Sequence, residues 1–315
     1  MCLDEEGKSQ MNNKLALLLI GAAASLWGII GIFVTFLYEL GFSPTQVVAV
    51  RTLSTTLFLV SYVTFKNRQL LKIKVTDSRY FIGTGIVSIV FFNWCLFSAI
   101  EETSISVASI LLYTAPTFVT ILSRLIFKES LTPRKILALL ITFIGCSFVI
   151  GILPETSESI SLYGLILGIG SGFFYALYSI FGKFALAKYN SLTVTVYTFL
   201  FAAIAITPFS GLWHVIPLFS EIRVWVYIIG LGFLSTMLPF IFYTNGLKTV
   251  ESSRASIIAT IEPVVASLLG FMVFQEKLNI WQYFGIFLVI TAVIIVQETT
   301  KKSKKKTLIS NELSL

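Results

Sequence analysis

Charge is what this sequence has least of. Charged side chains make up 12% of its 315 residues, about half the share found in an ordinary soluble domain. So little charge cannot cover a water-facing surface, and an apolar content of 56% points to lipid as the solvent. Histidine occurs once, as His214 in a loop beside Trp213, where an interfacial role is favoured over a ligand or a base. The three cysteines, Cys2, Cys95 and Cys146, are odd in number and widely spaced. They suit neither a disulfide framework nor a zinc site and read as small apolar packing residues. A glycine-rich phosphate loop is missing, so ATP hydrolysis within this chain is excluded. Intramembrane catalysis needs paired acids, a metal cluster or a nucleophile with its base. The apolar runs hold one deep acid and no histidine, so an enzyme is not expected, and neither is a cofactor or a metal.

What the sequence does have is apolar runs near 20 residues long, the length that crosses a bilayer as helix. Ten are expected, at 15–37, 44–65, 80–100, 104–127, 134–151, 162–187, 191–210, 223–247, 251–274 and 280–297. The fold class is therefore an all-α integral membrane protein. The first run is too long for a cleaved signal peptide and no small-residue cleavage site follows it, so it reads as the first span. Basic residues crowd alternate connections: Lys66, Arg68, Lys72, Lys74 and Arg79, then Lys128, Arg134 and Lys135, then Lys183, Lys188 and Lys248. Lys8, Lys14, Lys301, Lys302, Lys304, Lys305 and Lys306 fall on the same side, while the other side has Arg223 and Lys277 with the acids Glu101, Glu102, Glu155 and Glu158. By the positive-inside rule both termini are cytoplasmic, as an even span count requires. These lysines flank spans, where anionic headgroups lie, and no nucleic-acid partner is expected.

The fourth and ninth runs repeat one another. "ASILLYTAPTFVTILSRLIFKESLT" (108–132) and "ASIIATIEPVVASLLGFMVFQEKLN" (255–279) share eight of 25 positions at a shift of 147. Pro116 over Pro263 and Glu129 over Glu276 weigh most, because proline and acid are scarce here. Trp27-Gly28 meets Tyr175-Ala176 at a shift of 148. Two halves of five helices are expected, 15–151 and 162–297, between a tail at 1–14 and a basic cytoplasmic tail at 298–315. Five is odd, so the halves cross the membrane in opposite senses, the inverted repeat typical of secondary transporters.

Together with "SLWGIIGIF" and "VVAVRTLSTTLFL", the stretches "SVASILLYTAPTFVTILSRLIFKESLTPRKILALLITFIG" and "RASIIATIEPVVASLLGFMVFQEKLNIWQYFGIFLVI" resemble the EamA family of the drug/metabolite transporter superfamily over about residues 14–298. The resemblance implies a ten-helix carrier of small organic solutes, often an exporter of amino acids, other metabolites or drugs. It names neither solute nor direction.

Polar groups at bilayer depth are the candidate site. Glu262 has small neighbours at helical spacing (Ala255, Ala259, Ala266), so its carboxylate is expected to face the interior. It could bind a cationic group, exchange a proton, or simply donate to a carbonyl freed by Pro263. Pro116 and Pro263 are expected to kink the fourth and ninth helices at matching depth. Arg51 is expected to be a structural intramembrane charge, paired with Glu39 or helix-end carbonyls. Arg124 and Lys183 can snorkel to the surface. Trp27, Asn93, Tyr113, Tyr175, Tyr243 and Glu262 are the candidate solute-binding residues, with Tyr178 and Asn245 as further polar tips and Phe240 as a flat apolar face. The expected function is alternating-access transport of an amino acid, related metabolite or drug-like amphipath across the cell membrane, in the direction of export. A proton-independent facilitator or channel is the alternative. The partners are the solute and the bilayer, and a homodimer is left open.

Overall fold

The computed structural model describes residues 12–151, 161–275 and 277–297. Cys2, Lys8, Glu155, Glu158, Glu276 and the lysines from Lys301 to Lys306 lie outside these residues. Ten antiparallel helical spans make the fold: α1 Asn13–Glu39, α2 Pro44–Lys66, α3 Val75–Glu102, α4 Ile105–Phe127, α5 Pro133–Val149, α6 Leu162–Leu186, α7 Ser191–Phe209, α8 Ile222–Thr249, α9 Ser252–Phe274 and α10 Ile280–Gln297. No strand occurs among the described residues. Span ends match the hydropathy reading to within two residues except at the start of α3, where a 3-10 turn at Val75–Asp77 begins the span early. α1 starts and α10 ends at the same end of the bundle, called here the terminal end.

Short polar residues start the spans. Ser43 and Gln46 form a capping box ahead of Pro44: Ser43 N donates to Gln46 Oε1 at 2.8 Å and Gln46 N to Ser43 Oγ at 3.4 Å. Ser104, Thr132, Ser161 and Asn190 cap α4, α5, α6 and α7 with their side-chain oxygens. Each removes an orphan backbone donor that hydrocarbon could not satisfy.

The two halves repeat with an offset of 147 far more faithfully than their residues do. Starts at Pro44, Ile105 and Pro133 map onto Ser191, Ser252 and Ile280. α3 changes to π-helix at Gly83–Val90 and α8 does so at Gly230–Met237. Both α4 and α9 end at a non-glycine residue in the left-handed region, Lys128 and Gln275, each with φ 56°.

The halves interlock through small residues. Gly85 in α3 lies against the backbone of α7 at Thr198, and Gly232 in α8 lies against α2 at Ser54 and Thr55. Hydroxyls seal both crossings: Thr84 and Thr198 share a hydrogen bond of 2.6 Å, and Thr55 Oγ1 donates to the Gly232 carbonyl at 2.9 Å. Gly83 faces Phe181 and Gly230 faces Phe33 in the same symmetric manner. At the α5–α10 crossing an added Cβ on Gly285 would sit 2.6 Å from the Gly145 carbonyl and 2.7 Å from Val149 N.

The terminal end is closed by buried charge. The first turn of α9 has no side-chain cap of its own. Glu129, from the α4–α5 connection, supplies one: Ser252 N donates to Oε1 at 2.7 Å, and Ser253 N and Oγ donate to Oε2 at 3.2 and 2.6 Å. A carboxylate at a helix N-terminus is favoured by both the loose N–H groups and the dipole. Lys183 Nζ of α6 lies 3.7 Å from Glu129 and donates to the Val250 carbonyl at 3.0 Å. Lys135 of α5 is 1% exposed, donates to the Ser130 carbonyl at 2.8 Å and pairs with Glu251 at 3.2 Å. The basic residue read from sequence as a loop charge is thus part of a buried latch. Nearby, Lys188 Nζ donates to Asp77 at 2.7 Å and Tyr189 Oη donates to the other Asp77 oxygen at 2.8 Å. The Asp77 hydrogen bond raises the Lys188 ammonium above its ordinary range.

Gly285→Ala is expected to cost about 1–3 kcal/mol through overpacking against fixed backbone, read as a lower thermal midpoint in detergent. Gly31→Ala, where an added Cβ meets nothing within 4 Å, should leave the midpoint unchanged.

Candidate functional site

Proline at bilayer depth removes a backbone donor and frees the carbonyl four residues earlier. In α4 the helix stops at Leu112 and resumes at Ala115, and in α9 it stops at Ala259 and resumes at Ile261. The expected kinks are therefore full interruptions, at matching places in the two halves. Threonine hydroxyls patch both: Thr114 Oγ1 donates to the Leu111 carbonyl and Thr260 Oγ1 to that of Ile257, each at 2.6 Å. Glycines bring other helices onto the breaks. Gly172 of α6 meets the Leu111 and Leu112 carbonyls, while Gly28 of α1 meets the Glu262 carbonyl and Val265. α1 carries a further break at Ile29 that sequence reasoning missed, because no proline marks it.

Between these breaks lies a cavity of about 380 Å³ lined by both halves. On α1 its walls run from Trp27 to Tyr38, on α2 they include Val48 and Arg51, and on α3 they run from Ser88 to Phe97. α6 contributes Tyr175, Tyr178 and Ser179, α8 Phe240 and Tyr243, and α9 Glu262. The α1 and α2 lining thus extends from mid-span to the end opposite the termini, and the cavity opens there. Its floor is an aromatic cluster. Trp27 packs edge-on to Phe240 at 5.1 Å and tilted on Tyr243 at 5.2 Å, and Tyr178 meets Phe240 edge-on at 5.1 Å. Hydrogen bonds tie the floor across α6 and α8: Tyr178 to Thr244 at 2.6 Å and Ser179 to Tyr243 at 2.8 Å.

Of the residues singled out from sequence, Trp27, Asn93, Tyr175, Tyr243 and Glu262 all line this cavity. Asn93 donates one amide N–H to the Ile89 carbonyl at 2.7 Å, leaving its second N–H and its oxygen to offer. Tyr113 does not line the main cavity; it sits just beyond, in a small space of about 20 Å³ shared with Pro116, Tyr175, Tyr243 and Glu262. It lies in the α4 interruption itself, which the expectation of a continuous kinked helix did not anticipate. Asn245 faces α7, accepting from Ser191 Oγ. Pro263 is buried in the first turn after the break. Sequence reasoning missed Ser88, Phe92, Leu96, Phe97 and Ser109, apolar or small residues that nothing in composition separates from packing.

Arg51 differs from its expected surroundings. Among the described residues neither Glu39 nor a helix-end carbonyl takes it; Nε donates to Thr236 Oγ1 of α8 at 2.9 Å, and the residue lines the cavity. The π-helical segment explains this, since it turns Thr236 towards α2. Glu262 shares the cavity with Arg51, yet no ion pair within 4.0 Å joins them among the described residues. The cavity thus combines an aromatic floor, one cation and one carboxylate, which suits an amphipathic solute with a few polar groups.

Comparison with known proteins agrees with this geometry. The EamA-like transporter family matches the chain twice, over residues 14–151 and 162–297. An "Uncharacterized transporter" of Archaeoglobus fulgidus is 32% identical over 63% of this chain and 69% of its own length. A second from the same organism is 29% identical over 89% and 97%. The "Uncharacterized inner membrane transporter YicL" of Salmonella typhimurium is 24% identical over 89% and 94%. A crystal structure that shares the fold superposes with a TM-score of 0.75 at 15% identity, covering 95% of this chain and 99% of that one. With nine helices among the described residues long and apolar enough to cross a membrane, α5 at 17 residues beside them, and two matched halves, the chain is a multi-pass membrane transporter of small solutes and belongs to the EamA-like transporter family.

Proposed function

We propose that the chain is a secondary transporter that moves a small organic solute across the cytoplasmic membrane by alternating access, in the direction of export. The observation that carries this reading is the placement of one cavity between two inverted halves, open at one end and latched at the other. The basic connections put both termini in the cytoplasm, so the cavity faces outward and the Glu129 latch closes the inner side. The solute is an amino acid, related metabolite or drug-like amphipath, its flat apolar part on Trp27, Phe240 and Tyr243 and its polar end towards Asn93, Tyr175 or Glu262. Inward opening parts the latch, and the broken helices α4 and α9 let half-helices tilt while their other halves stay packed.

Glu262 is the proton-coupling candidate. It sits beside a helix break, and no hydrogen bond or ion pair holds its carboxylate among the described residues. A carboxylate at that depth is costly unless water, a solute cation or a proton compensates it, so its state follows the opening of the cavity.

Purified protein in proteoliposomes, offered radiolabelled amino acids, organic cations and related metabolites, should show saturable uptake and counterflow. Flux without saturation would identify a channel, and no flux or stabilisation across the panel would remove the carrier reading. Glu262→Gln should abolish accumulation driven by a pH gradient and spare counterflow; an unchanged pH dependence would sink the coupling role. Glu129→Gln weakens buried charge-assisted bonds worth about 1–3 kcal/mol each, enough to shift the inward-open population roughly tenfold or more. In a background lacking Cys2, Cys95 and Cys146, that shift is read as faster modification of Ser256→Cys by an impermeant maleimide from the cytoplasmic side.

A further inference from the structure

The carrier reading leaves Arg51 without a task beyond holding α2 to α8, and its geometry gives it one. We propose that Arg51, held by Thr236, forms a subsite that reads the carboxylate of an organic-acid group on the transported solute. The inference rests on the carrier reading and adds the chemical class of the solute's polar end.

A guanidinium offers five N–H donors in one plane. Arg51 uses the Nε donor on Thr236 Oγ1 at 2.9 Å. The four donors on its two Nη atoms have no acceptor within hydrogen-bonding distance among the described residues, and the residue lines the cavity. The direction of the Thr236 bond is fixed by the residue's own hydroxyl proton. Thr236 Oγ1 donates to the Leu231 carbonyl at 2.7 Å, five residues back, the spacing that a π-helix provides. With that proton committed, the hydroxyl presents a lone pair to Arg51 and anchors one edge of the guanidinium plane. Thr236 is thus a positioning residue.

A planar fork with both Nη groups free matches a carboxylate bidentately, and fixing the fork beforehand reduces the ordering lost on binding. Glu262 feels the charge of Arg51 across the cavity but takes none of its donors, since no ion pair within 4.0 Å links the two among the described residues. The space between the two charges belongs to the cavity. In the same wall Trp27 carries a buried indole N–H with no acceptor, a second donor that a small shift of the floor could turn to an oxygen. An unpaired guanidinium at bilayer depth is expensive, and a solute carboxylate in the loaded cavity offsets that cost.

The test uses full-length purified protein and matched sets of carboxylate, amide and amine built on the same aromatic and aliphatic bodies, for example phenylacetate, phenylacetamide and phenethylamine. Binding is read by ligand-induced thermal shift and by calorimetry. The carboxylate members should stabilise the protein most. Arg51→Gln should weaken them about tenfold to a hundredfold, the equivalent of a charge-assisted bidentate contact, and change the amides by less than about twofold. Thr236→Val should weaken carboxylates selectively, and Thr236→Ser, which keeps the hydroxyl, should restore them; a purely structural role would move all three classes together. Should Arg51→Gln fail to fold, the Thr236 pair gives the answer alone. Binding of amides or amines with no preference for carboxylates, or equal losses across the classes, overturns the subsite and leaves the carrier intact. If no class of solute binds or moves, the carrier reading falls and the subsite with it.

Discussion

Hydrocarbon offers no hydrogen bonds, so every backbone group that a broken helix sets loose must be satisfied from within the protein. That constraint organises this molecule. α4 and α9 are interrupted next to Pro116 and Pro263, and each gap has a threonine hydroxyl donating to a carbonyl before it and a neighbour whose glycine permits close approach: Gly172 to the Leu111 and Leu112 carbonyls of α4, Gly28 to Glu262 and Val265 just past the α9 break. Part of the cost of the breaks is thereby met locally, and both breaks border cavity, Leu112 lining the main one and Ala259 and Thr260 the small one beside it. The first turn of α9 obeys the same constraint at its own end, borrowing the Glu129 carboxylate from another helix pair because its own cap residue, Glu251, is turned to Lys135.

Much of the architecture could be read from residues alone. The ten spans follow from apolar runs near 20 residues long, and the internal repeat from two prolines and two acids 147 positions apart. The π-helical segments were not foreseen, although a signal existed. Gly83 and Gly85 lie 147 positions before Gly230 and Gly232, and these four glycines are where α3 and α8 touch the opposite half. A glycine pair is ambiguous in one copy; its recurrence at the offset of the prolines is what gives it meaning. No sequence rule marks the break at Ile29, where tertiary packing overrides a strongly helical run.

Charges were the least legible feature, because their meaning depends on partners distant in sequence. Arg51 sits 185 positions from Thr236 and Glu129 123 positions from Ser252, separations that no periodicity carries. Lys135 shows the same limit in reverse: its place beside Arg134 in a basic connection suggests a solvated surface, yet its ammonium is almost wholly enclosed by Glu251, Glu129 and the Ser130 carbonyl. Deep aromatic residues were easier, since Trp27 and Tyr175 fall at mid-span whatever their partners. Tyr113 fell at the right depth too but in the helix break, which places it beside the cavity instead of in its wall.

Two inverted halves cannot hold identical conformations while one end of the bundle is open and the other shut. The departures from symmetry are therefore as informative as the symmetry. α1 is broken at Ile29, and its partner α6 runs unbroken from Leu162 to Leu186. The cavity takes Trp27, Ile30 and Val34 from around the α1 break, while α6 supplies Tyr178 and Ser179 to the floor, hydrogen-bonded to α8. The broken copy thus lines the open side and the continuous copy braces the closed one. In the alternating-access reading the two exchange roles, so the floor bonds from α6 to α8 and the Glu129 contacts to α9 must break in the same movement. Both end on the stretch from Tyr243 to Ser253 that joins α8 to α9, so a single rearrangement there can serve both.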